Sequence, residues 1–262
     1  MANRYVDGPK PRLFGHRGAS GTMPENTLPA FTEALAAGAD RLEMDVHLSA
    51  DEEVVVLHDP ELDRTTDGKG PVARLRLREI REIDAGYQFE SSPGRHPFRG
   101  HKMRIPTFAE VLTHFPTVPL NIELKVDEPA LVSAMKRLLD RHDAWSRVLL
   151  TAETQSLMDR IRAAMPQILT GMCVQEVLEF WGNGGNLGYV AKGFALQVPV
   201  THGGIPVITK QFVDVAHAAN LEVHAWVINE EPEMRRLLGL GVDGIMTDFP
   251  RLAAAVLGRK SR

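Results

Sequence analysis

The feature that most constrains the fold is the recurrence of short apolar segments along nearly the whole chain. We predict each segment to be a β-strand, and most are separated from the next by a stretch with helical periodicity. Such alternation favours a parallel sheet with right-handed crossover connections. The predicted strands are 13–15, a segment that begins at 41, 120–124, 148–151, 168–173, 194–198, 223–227 and 244–247.

Eight parallel strands with intervening helices are typical of a (β/α)8 TIM barrel, and 262 residues suit such a barrel with a modest insertion. The alternative is an open doubly wound sheet, although no glycine-rich dinucleotide loop follows the first strand. We therefore predict an α/β fold of the TIM-barrel type, with residues 1–262 forming a single domain.

The alternation pauses between residues 60 and 117. This segment holds helical patterns at 77–83 and 107–115 and a loop rich in glycine, proline and arginine at 91–104. It is too long and irregular for a plain connection. We predict a cap insertion over one end of the barrel, between the second-strand hairpin and the third barrel strand. The glycine-rich stretch 183–188 is predicted to be a loop after the sixth strand.

The net charge of −4 is mild, and no basic run is long enough to indicate nucleic acid. No apolar run approaches the roughly 18 residues of a membrane span, so we predict no transmembrane segment. The single cysteine, Cys173, excludes an internal disulfide, and the first residues lack the apolar core of a signal peptide. We expect a cytoplasmic protein with a small-molecule substrate; the sequence leaves the oligomeric state open.

Two acidic residues lie on the second predicted strand. Glu43 and Asp45 are two positions apart, so a strand projects both from one face. Adjacent carboxylates repel each other, and a bound cation is the usual remedy. The polar residues 49–53 are too few for a parallel crossover and predict a hairpin, which brings His58 opposite residue 44 or 45. The alternative is an edge hairpin with exposed acidic residues and a surface histidine.

Other polar side chains follow the ends of the predicted strands, where barrel enzymes hold their active sites. They are His16 and Arg17 after the first strand, Glu123 and Lys125 at the end of the strand from 120, and Gln197 and Trp226 on two later strands. We interpret Trp226 as a wall of the substrate pocket, with packing at the strand end as the alternative. For Gln197 the substrate-binding and packing interpretations stand level.

Three of these residues are candidate metal ligands. Glu43, Asp45 and Glu123 come from two strands, and no cysteine or paired histidine at ligand spacing accompanies them. Such a set describes an oxygen-lined site for one hard divalent cation, Mg²⁺ or Ca²⁺, better than it describes a zinc site.

Four further residues have the chemistry for handling a phosphate ester. Arg17 offers a planar fork that fits two phosphate oxygens, and Lys125 offers a point charge for another. His16 and His58 are the candidates in this group for proton transfer near neutral pH. Displacement at phosphorus needs one group to take a proton and another to give one.

Several short motifs together resemble the glycerophosphodiester phosphodiesterase family, a group of barrel enzymes distantly similar to phosphoinositide-specific phospholipases C. Each motif alone is weak, but they occur in order over nearly the whole chain. The motifs are His16-Arg17-Gly18, Pro24-Glu25-Asn26-Thr27, Glu43-Met44-Asp45-Val46, His58-Asp59-Pro60, Leu62-Asp63-Arg64-Thr65-Thr66, Ile105-Pro106-Thr107, Glu123-Leu124-Lys125 and Thr247-Asp248.

The resemblance implies a role for each candidate. It implies metal ligation by Glu43, Asp45 and Glu123, acid–base catalysis by His16 and His58, and phosphate binding by Arg17 and Lys125. The implied reaction is metal-dependent hydrolysis of glycerophosphodiesters to an alcohol and sn-glycerol 3-phosphate. A hydroxyl of the substrate's own glycerol would attack first and give a cyclic phosphate, which water then opens. The segment 60–117 would be the family's small cap over the barrel mouth.

Two alternatives stay open. Cleavage of lysophospholipids is a narrower version of the reaction, favoured if the cap exposes an apolar groove to which Phe89, Phe98 and Phe108 contribute. The other is a phosphate-binding barrel without catalysis. Intact candidate acids, bases and ligands argue against that second alternative, since a protein that only binds phosphate needs no positioned proton donors.

Overall fold

The computed structural model describes residues 3–182 and 189–259, so the predicted loop 183–188 lies outside the described residues. Its strands, in chain order, are β1 (Arg12–Gly15), β2 (Arg41–Leu48), β3 (Val54–Val56), β4 (Leu120–Leu124), β5 (Val148–Thr151), β6 (Leu169–Thr170), β7 (Ala195–Pro199), β8 (Thr201–His202), β9 (Ile205–Pro206), β10 (Glu222–Trp226) and β11 (Gly244–Thr247).

Eight of these strands form a nearly closed parallel barrel. They neighbour one another in the order β6, β5, β4, β2, β1, β11, β10, β7. Gly171, just after β6, forms an isolated parallel bridge with Ala195 of β7, which brings the two ends of the sheet together. The predicted TIM-barrel fold is confirmed. Strand β6 is shorter than predicted because the chain turns after this bridge to enter a helix.

Helices surround the barrel. They are α1 (Leu28–Ala36), α2 (Leu77–Ile80), α3 (Phe108–His114), α4 (Pro129–Arg141), α5 (Gln155–Ala164), α6 (Val174–Gly182), α7 (Lys210–Ala218), α8 (Glu231–Leu240) and α9 (Pro250–Val256). In α1 the hydroxyl of Thr27 accepts a hydrogen bond from the Ala30 amide, as expected of an N-cap. Sequence reasoning predicted neither α6 nor α9. No helix among residues 3–182 and 189–259 is long and apolar enough to cross a membrane.

Strand β2 shows how the sequence positions the site. Leu42, Met44 and Val46 belong to the main hydrophobic core, which also includes the helix residue Phe31. Glu43 and Asp45 alternate with them and therefore project into the barrel interior. The predicted hairpin is present: β2 pairs with β3 in antiparallel register, and the Leu57 amide donates to the Asp45 carbonyl. His58 follows directly beside the strand that carries the carboxylates.

The segment predicted as an insertion divides between two cores. Its first part forms a separate hydrophobic cluster that includes Leu62, Val72 and Ile80. Helix α3, in contrast, packs into the main core through Phe108 and Val111. The part with its own core therefore ends before α3, earlier than the predicted limit of 117.

Buried charges occupy the end of the barrel where the strands begin. The guanidinium of Arg12, at the start of β1, donates two hydrogen bonds of 2.5 and 2.6 Å to the Glu222 carboxylate at the start of β10. His224 Nε2 lies 3.0 Å from the same carboxylate, and Lys10 bridges Glu222 and Asp243. The Arg12 side chain is fully buried.

Candidate active site

A cavity of about 480 Å³ opens where the parallel strands end. Its lining includes every residue that the sequence singled out for chemistry. These are His16, Arg17, Glu43, Asp45, His58, Glu123, Lys125, Gln197 and Trp226. Barrel topology explains the gathering, since the carboxyl ends of all parallel strands meet at one face.

The three predicted metal ligands come from neighbouring strands. Strands β2 and β4 pair in parallel, with Asp45 beside Glu123 and Glu43 beside Asn121. Glu43 and Asp45 are almost completely buried, whereas 28% of the Glu123 side chain is exposed. Lys125 Nζ lies 3.0 Å from a Glu123 oxygen and 3.4 Å from an Asp45 oxygen, so its ammonium sits between these two carboxylates.

Glu43 is the carboxylate whose charge is least well compensated. It accepts a hydrogen bond of 2.9 Å from the Arg17 amide, and His16 Nε2 lies 3.9 Å from the same oxygen. Burial and the neighbouring Asp45 carboxylate nevertheless raise the pKa of Glu43 to about 7. This part of the cavity is therefore prepared for additional positive charge.

The three predicted ligands suit a divalent cation in their chemistry but do not converge on one point. Within the described part of the chain, no three His, Cys, Asp or Glu side chains converge closely enough to hold a metal ion as they stand. The donor chemistry fits a hard cation, because all three predicted ligands are carboxylates facing one cavity and burial beside Asp45 disfavours the charge on Glu43 in the absence of a cation. Residue types and electrostatics thus match the predicted cofactor, while the ligand geometry is not preformed.

Arg17 is held in place by its backbone and by two acidic neighbours. Its φ of 53° lies in the left-handed region, and its carbonyl accepts from the Asn26 amide. Nη1 donates to Glu25 at 2.9 Å. Nε is buried without a hydrogen-bond partner, although an Asp45 oxygen lies 3.4 Å away. The guanidinium is therefore fixed between the Glu25 and Asp45 carboxylates at the edge of the cavity.

His16 is oriented by a carboxylate from the last barrel strand. Its Nδ1 lies 2.7 Å from Asp248 Oδ1, which leaves Nε2 on the cavity side. Asp248 is fixed in turn by hydrogen bonds from Ser20 and Asn229. Although burial opposes the charged imidazolium, the contact with Asp248 and the nearby Glu43 carboxylate raise the pKa of His16. The ring can therefore hold or release a proton through Nε2 near neutral pH.

His58 has a similar partner in the following residue. Its Nδ1 lies 2.6 Å from Asp59 Oδ1. Arg64 donates to Asp59 and, through its other nitrogens, to both oxygens of Glu25, the residue that also holds Arg17. One chain of ion pairs therefore links the second histidine to the loop that carries the cavity arginine. The His58 side chain is 30% exposed, against 16% for His16.

The two later residues lie on the far side of the cavity. Gln197 Nε2 donates to Asn121 Oδ1 at 2.7 Å, and Tyr5 donates to the same oxygen. Its amide is thereby fixed in the cavity floor. Trp226 lines the cavity and is 41% exposed, which contradicts the alternative of a core tryptophan.

Sequence reasoning gave no role to the residues that orient the histidines. Asp248, Asp59, Arg64 and Glu25 stand in the quoted motifs without an assigned contact. In the structure, Glu25 accepts hydrogen bonds from Arg17 and Arg64. The available signal was adjacency: Asp59 follows His58, and Asp248 directly follows the last strand.

The cavity at the carboxyl ends of the barrel strands holds two histidines, an arginine, a lysine and three carboxylates. This combination of fold and site is that of a barrel enzyme that acts on phosphate esters. Residues 16–252 match the model of the glycerophosphoryl diester phosphodiesterase family. A glycerophosphodiester phosphodiesterase of Bacillus altitudinis is 31% identical, over 94% of this chain and 97% of that protein. The chain therefore belongs to the glycerophosphoryl diester phosphodiesterase family, and it is an enzyme of that class.

Two further relatives bear on substrates. An Oleispira antarctica phosphodiesterase, solved in complex with the product sn-glycerol-3-phosphate, is 28% identical with a TM-score of 0.76, over 95% of this chain and 97% of that one. A human protein named lysophospholipase D GDPD1 is 28% identical, over 90% of this chain and 83% of its own length.

Proposed function

We propose that the protein hydrolyses glycerophosphodiesters, the deacylated form of phospholipids, to an alcohol and sn-glycerol 3-phosphate. The observation that carries this proposal is the presence of two histidine–carboxylate pairs at one cavity, His16 with Asp248 and His58 with Asp59. Displacement at phosphorus needs one proton acceptor and one proton donor. A barrel that only binds phosphate has no use for two oriented imidazoles.

Arg17 and Lys125 hold the phosphate in this proposal. Arg17 lines the cavity, and its planar guanidinium fits two phosphate oxygens. Lys125 already contacts two carboxylates, and their charges, acting against the effect of burial, raise the pKa of its ammonium. It therefore stays charged at neutral pH and supplies a second contact for the phosphate.

The two histidines exchange roles between two steps. In the first, one imidazole takes the proton from a glycerol hydroxyl, whose oxygen bonds to phosphorus as the bond to the head-group alcohol breaks. The other histidine, protonated, gives its proton to the leaving oxygen. In the second step, the histidine that has lost its proton takes one from water, whose oxygen bonds to phosphorus. The cyclic ester opens to sn-glycerol 3-phosphate as its bond to one glycerol oxygen breaks, and the other histidine returns its proton to that oxygen. Either histidine can serve as the first base.

Glu43, Asp45 and Glu123 would hold one divalent cation, Mg²⁺ or Ca²⁺. When bound, this cation supplies positive charge against the charge that develops on the phosphate oxygens. The raised pKa of Glu43 supports the assignment, since a cation beside this carboxylate relieves the repulsion from Asp45.

Lysophospholipids contain the same phosphodiester bond, so the same residues would cleave them. The acyl chain distinguishes the two substrate classes. We also propose that the enzyme is cytoplasmic, and the single, buried cysteine supports this location.

We further propose that the chain is one domain and that the first part of the segment 60–117 caps the cavity. The ion pairs of Arg64 support this, because they tie the segment to Glu25 in the loop after β1. His58, which precedes the segment, lines the cavity from the same side.

The test is release of sn-glycerol 3-phosphate from a panel of glycerophosphodiesters by purified protein, with chelator, with Mg²⁺ and with Ca²⁺. We expect release that chelator abolishes and one of the two cations restores. Binding of sn-glycerol 3-phosphate in chelator, measured by calorimetry, separates lost catalysis from lost binding. Absence of release from folded protein under every condition would refute the proposed activity.

A further inference from the structure

The cavity has an apolar side that the proposed chemistry does not use. Among the described residues, eight large apolar side chains are exposed, and four of them line this one cavity. The four are Val174, Leu178, Trp181 and Trp226. Exposed apolar surface concentrated at the mouth of a site marks a place where an apolar ligand group binds.

The apolar side chains come from one half of the barrel. Four of them lie on α6, which follows β6: Val174, Val177, Leu178 and Trp181. Val207 directly follows β9, and Trp226 is the last residue of β10. We call these six residues the apolar wall. The candidate catalytic residues belong to the other half, on and after β1, β2, β3 and β4. The candidate catalytic residues therefore lie on one side of the cavity and the apolar wall on the other, where Glu153, Gln197 and His202 also line it.

The apolar wall has the form of a strip. Val174, Leu178 and Trp181 are spaced by four and three residues, so they lie along one face of α6. They span roughly 10 Å at the rise of an α-helix. An elongated apolar surface of this length, widened by Val177 beside Leu178, fits a hydrocarbon chain.

The cap does not provide this surface. Phe108 is fully buried in the main core, and Phe89 and Phe98 pack edge to face against each other at 5.3 Å. None of the three lines the cavity. These phenylalanines therefore do not contribute an apolar groove to the cavity, whose exposed apolar surface lies mainly on α6.

We propose that the apolar wall binds one hydrocarbon chain of the substrate, so that monoacyl glycerophosphodiesters are cleaved in preference to chainless ones. The inference rests on the proposed function, because the same phosphodiester bond is broken. It adds a binding site for the acyl chain, formed mainly by α6.

The test uses glycerophosphocholine and its 1-acyl derivatives from butanoyl to decanoyl, all below their micelle-forming concentrations. Choline release, with the metal that supports activity, gives kcat/KM for every substrate on one scale. We expect kcat/KM to rise by up to about fourfold per added methylene until the wall is covered. A flat series with active protein would overturn the chain site and leave the proposed function standing.

Two variants locate the effect on α6. In Leu178→Gln and Trp181→Gln we expect the ratio of kcat/KM for the octanoyl substrate to that for glycerophosphocholine to fall about tenfold or more. Val6→Gln is the matched control, because Val6 is also an exposed apolar residue but does not line the cavity. If both α6 variants keep the wild-type ratio, as the Val6→Gln control should, the inference is overturned.

Two other outcomes would also overturn the proposed chain site. A rate that rises only at the micelle-forming concentration, with no dependence on chain length below it, would identify a surface for lipid aggregates and overturn the chain site. No release from any substrate of this series or of the glycerophosphodiester panel, with protein shown to be folded, would overturn the proposed function and this inference with it.

Discussion

The two ends of the barrel both hold charged side chains, and they treat them in opposite ways. Where the strands begin, Arg12 and Lys10 lie against Glu222, and Lys10 and His217 lie against Asp243. Burial alone would raise the pKa of both carboxyls, but these contacts lower it. Where the strands end, Glu43 is buried beside another carboxylate, and its pKa rises to about 7.

The difference separates stability from function. A carboxylate with a lowered pKa has more favourable interactions in the folded chain than in water, so it supports the fold. A buried carboxylate with a raised pKa costs stability, and such sites persist where a ligand or a reaction needs them. We therefore expect substitutions at the first end to affect unfolding and substitutions at the second end to affect turnover.

The largest effect is expected for Glu222→Gln. The substitution leaves the fully buried Arg12 without its anionic partner, which costs about 3–5 kcal/mol of the free energy of unfolding. Denaturant unfolding at pH 7 measures the loss. The matched control is Glu233→Gln, which breaks the exposed pair with Arg236 and should change stability by less than about 1 kcal/mol.

The same variant has a pH signature. Because the pKa of Glu222 is lower in the folded state, its stabilising effect is fully present above the unfolded value of about 4.3 and is lost as the pH falls through the folded pKa. The stability difference between wild type and variant should therefore shrink in acid. A constant difference from pH 7 to pH 3 would contradict this assignment.

At the opposite end, His16→Ala and His58→Ala should each lower turnover by about 10² or more through loss of acid–base catalysis. Neither should lower the free energy of unfolding by more than about 1 kcal/mol, since both rings face the cavity. His101→Ala, an exposed histidine outside the cavity, is the control. Near-normal turnover in either cavity variant would exclude the two-histidine mechanism.

Much of the fold, and the carboxylates and histidines of the candidate site, could be predicted from local sequence. The alternation of strands and helices gave the barrel, and the two-residue spacing of Glu43 and Asp45 placed both on the interior face of β2. The short polar turn at 49–53 gave the hairpin that positions His58. Each prediction depends on neighbouring residues only, which is why a single sequence suffices for it.

Contacts between distant strands were not predictable. Asp248 meets His16 because β11 pairs with β1 to close the barrel, although 232 positions separate them. Helix α6 was missed, although its apolar residues follow helical spacing, because β6 had been extended into the turn before it. The apolar wall depends on that helix, so the sequence analysis named only the cap as a possible place for an apolar groove.

The next effect concerns the residues that orient the histidines. Asp248→Asn should lower kcat about tenfold to a hundredfold, because the amide does not hold the Nδ1 proton of His16 as the carboxylate does. Asp59→Asn should cost less, since Asp59 and His58 are more exposed than His16. pH–rate profiles provide the check: the limb that belongs to His16 should move to lower pH in Asp248→Asn. Loss of kcat with an unmoved profile would indicate a purely structural role for Asp248.

The smallest expected change is a change in stability, in Glu43→Gln. This variant tests the contrast between the two barrel ends most directly. The amide keeps the size of the side chain and can still accept the Arg17 amide hydrogen, while it removes a buried charge beside Asp45. With chelator present, we expect the free energy of unfolding to rise by about 1 kcal/mol, measured by denaturant unfolding, as turnover and its response to metal are lost. Glu123→Gln, at the more exposed carboxylate beside Lys125, is the control and should give little or no gain. A loss of stability in Glu43→Gln would mean that this carboxylate supports the fold as Glu222 does, and that the two ends of the barrel do not differ in kind.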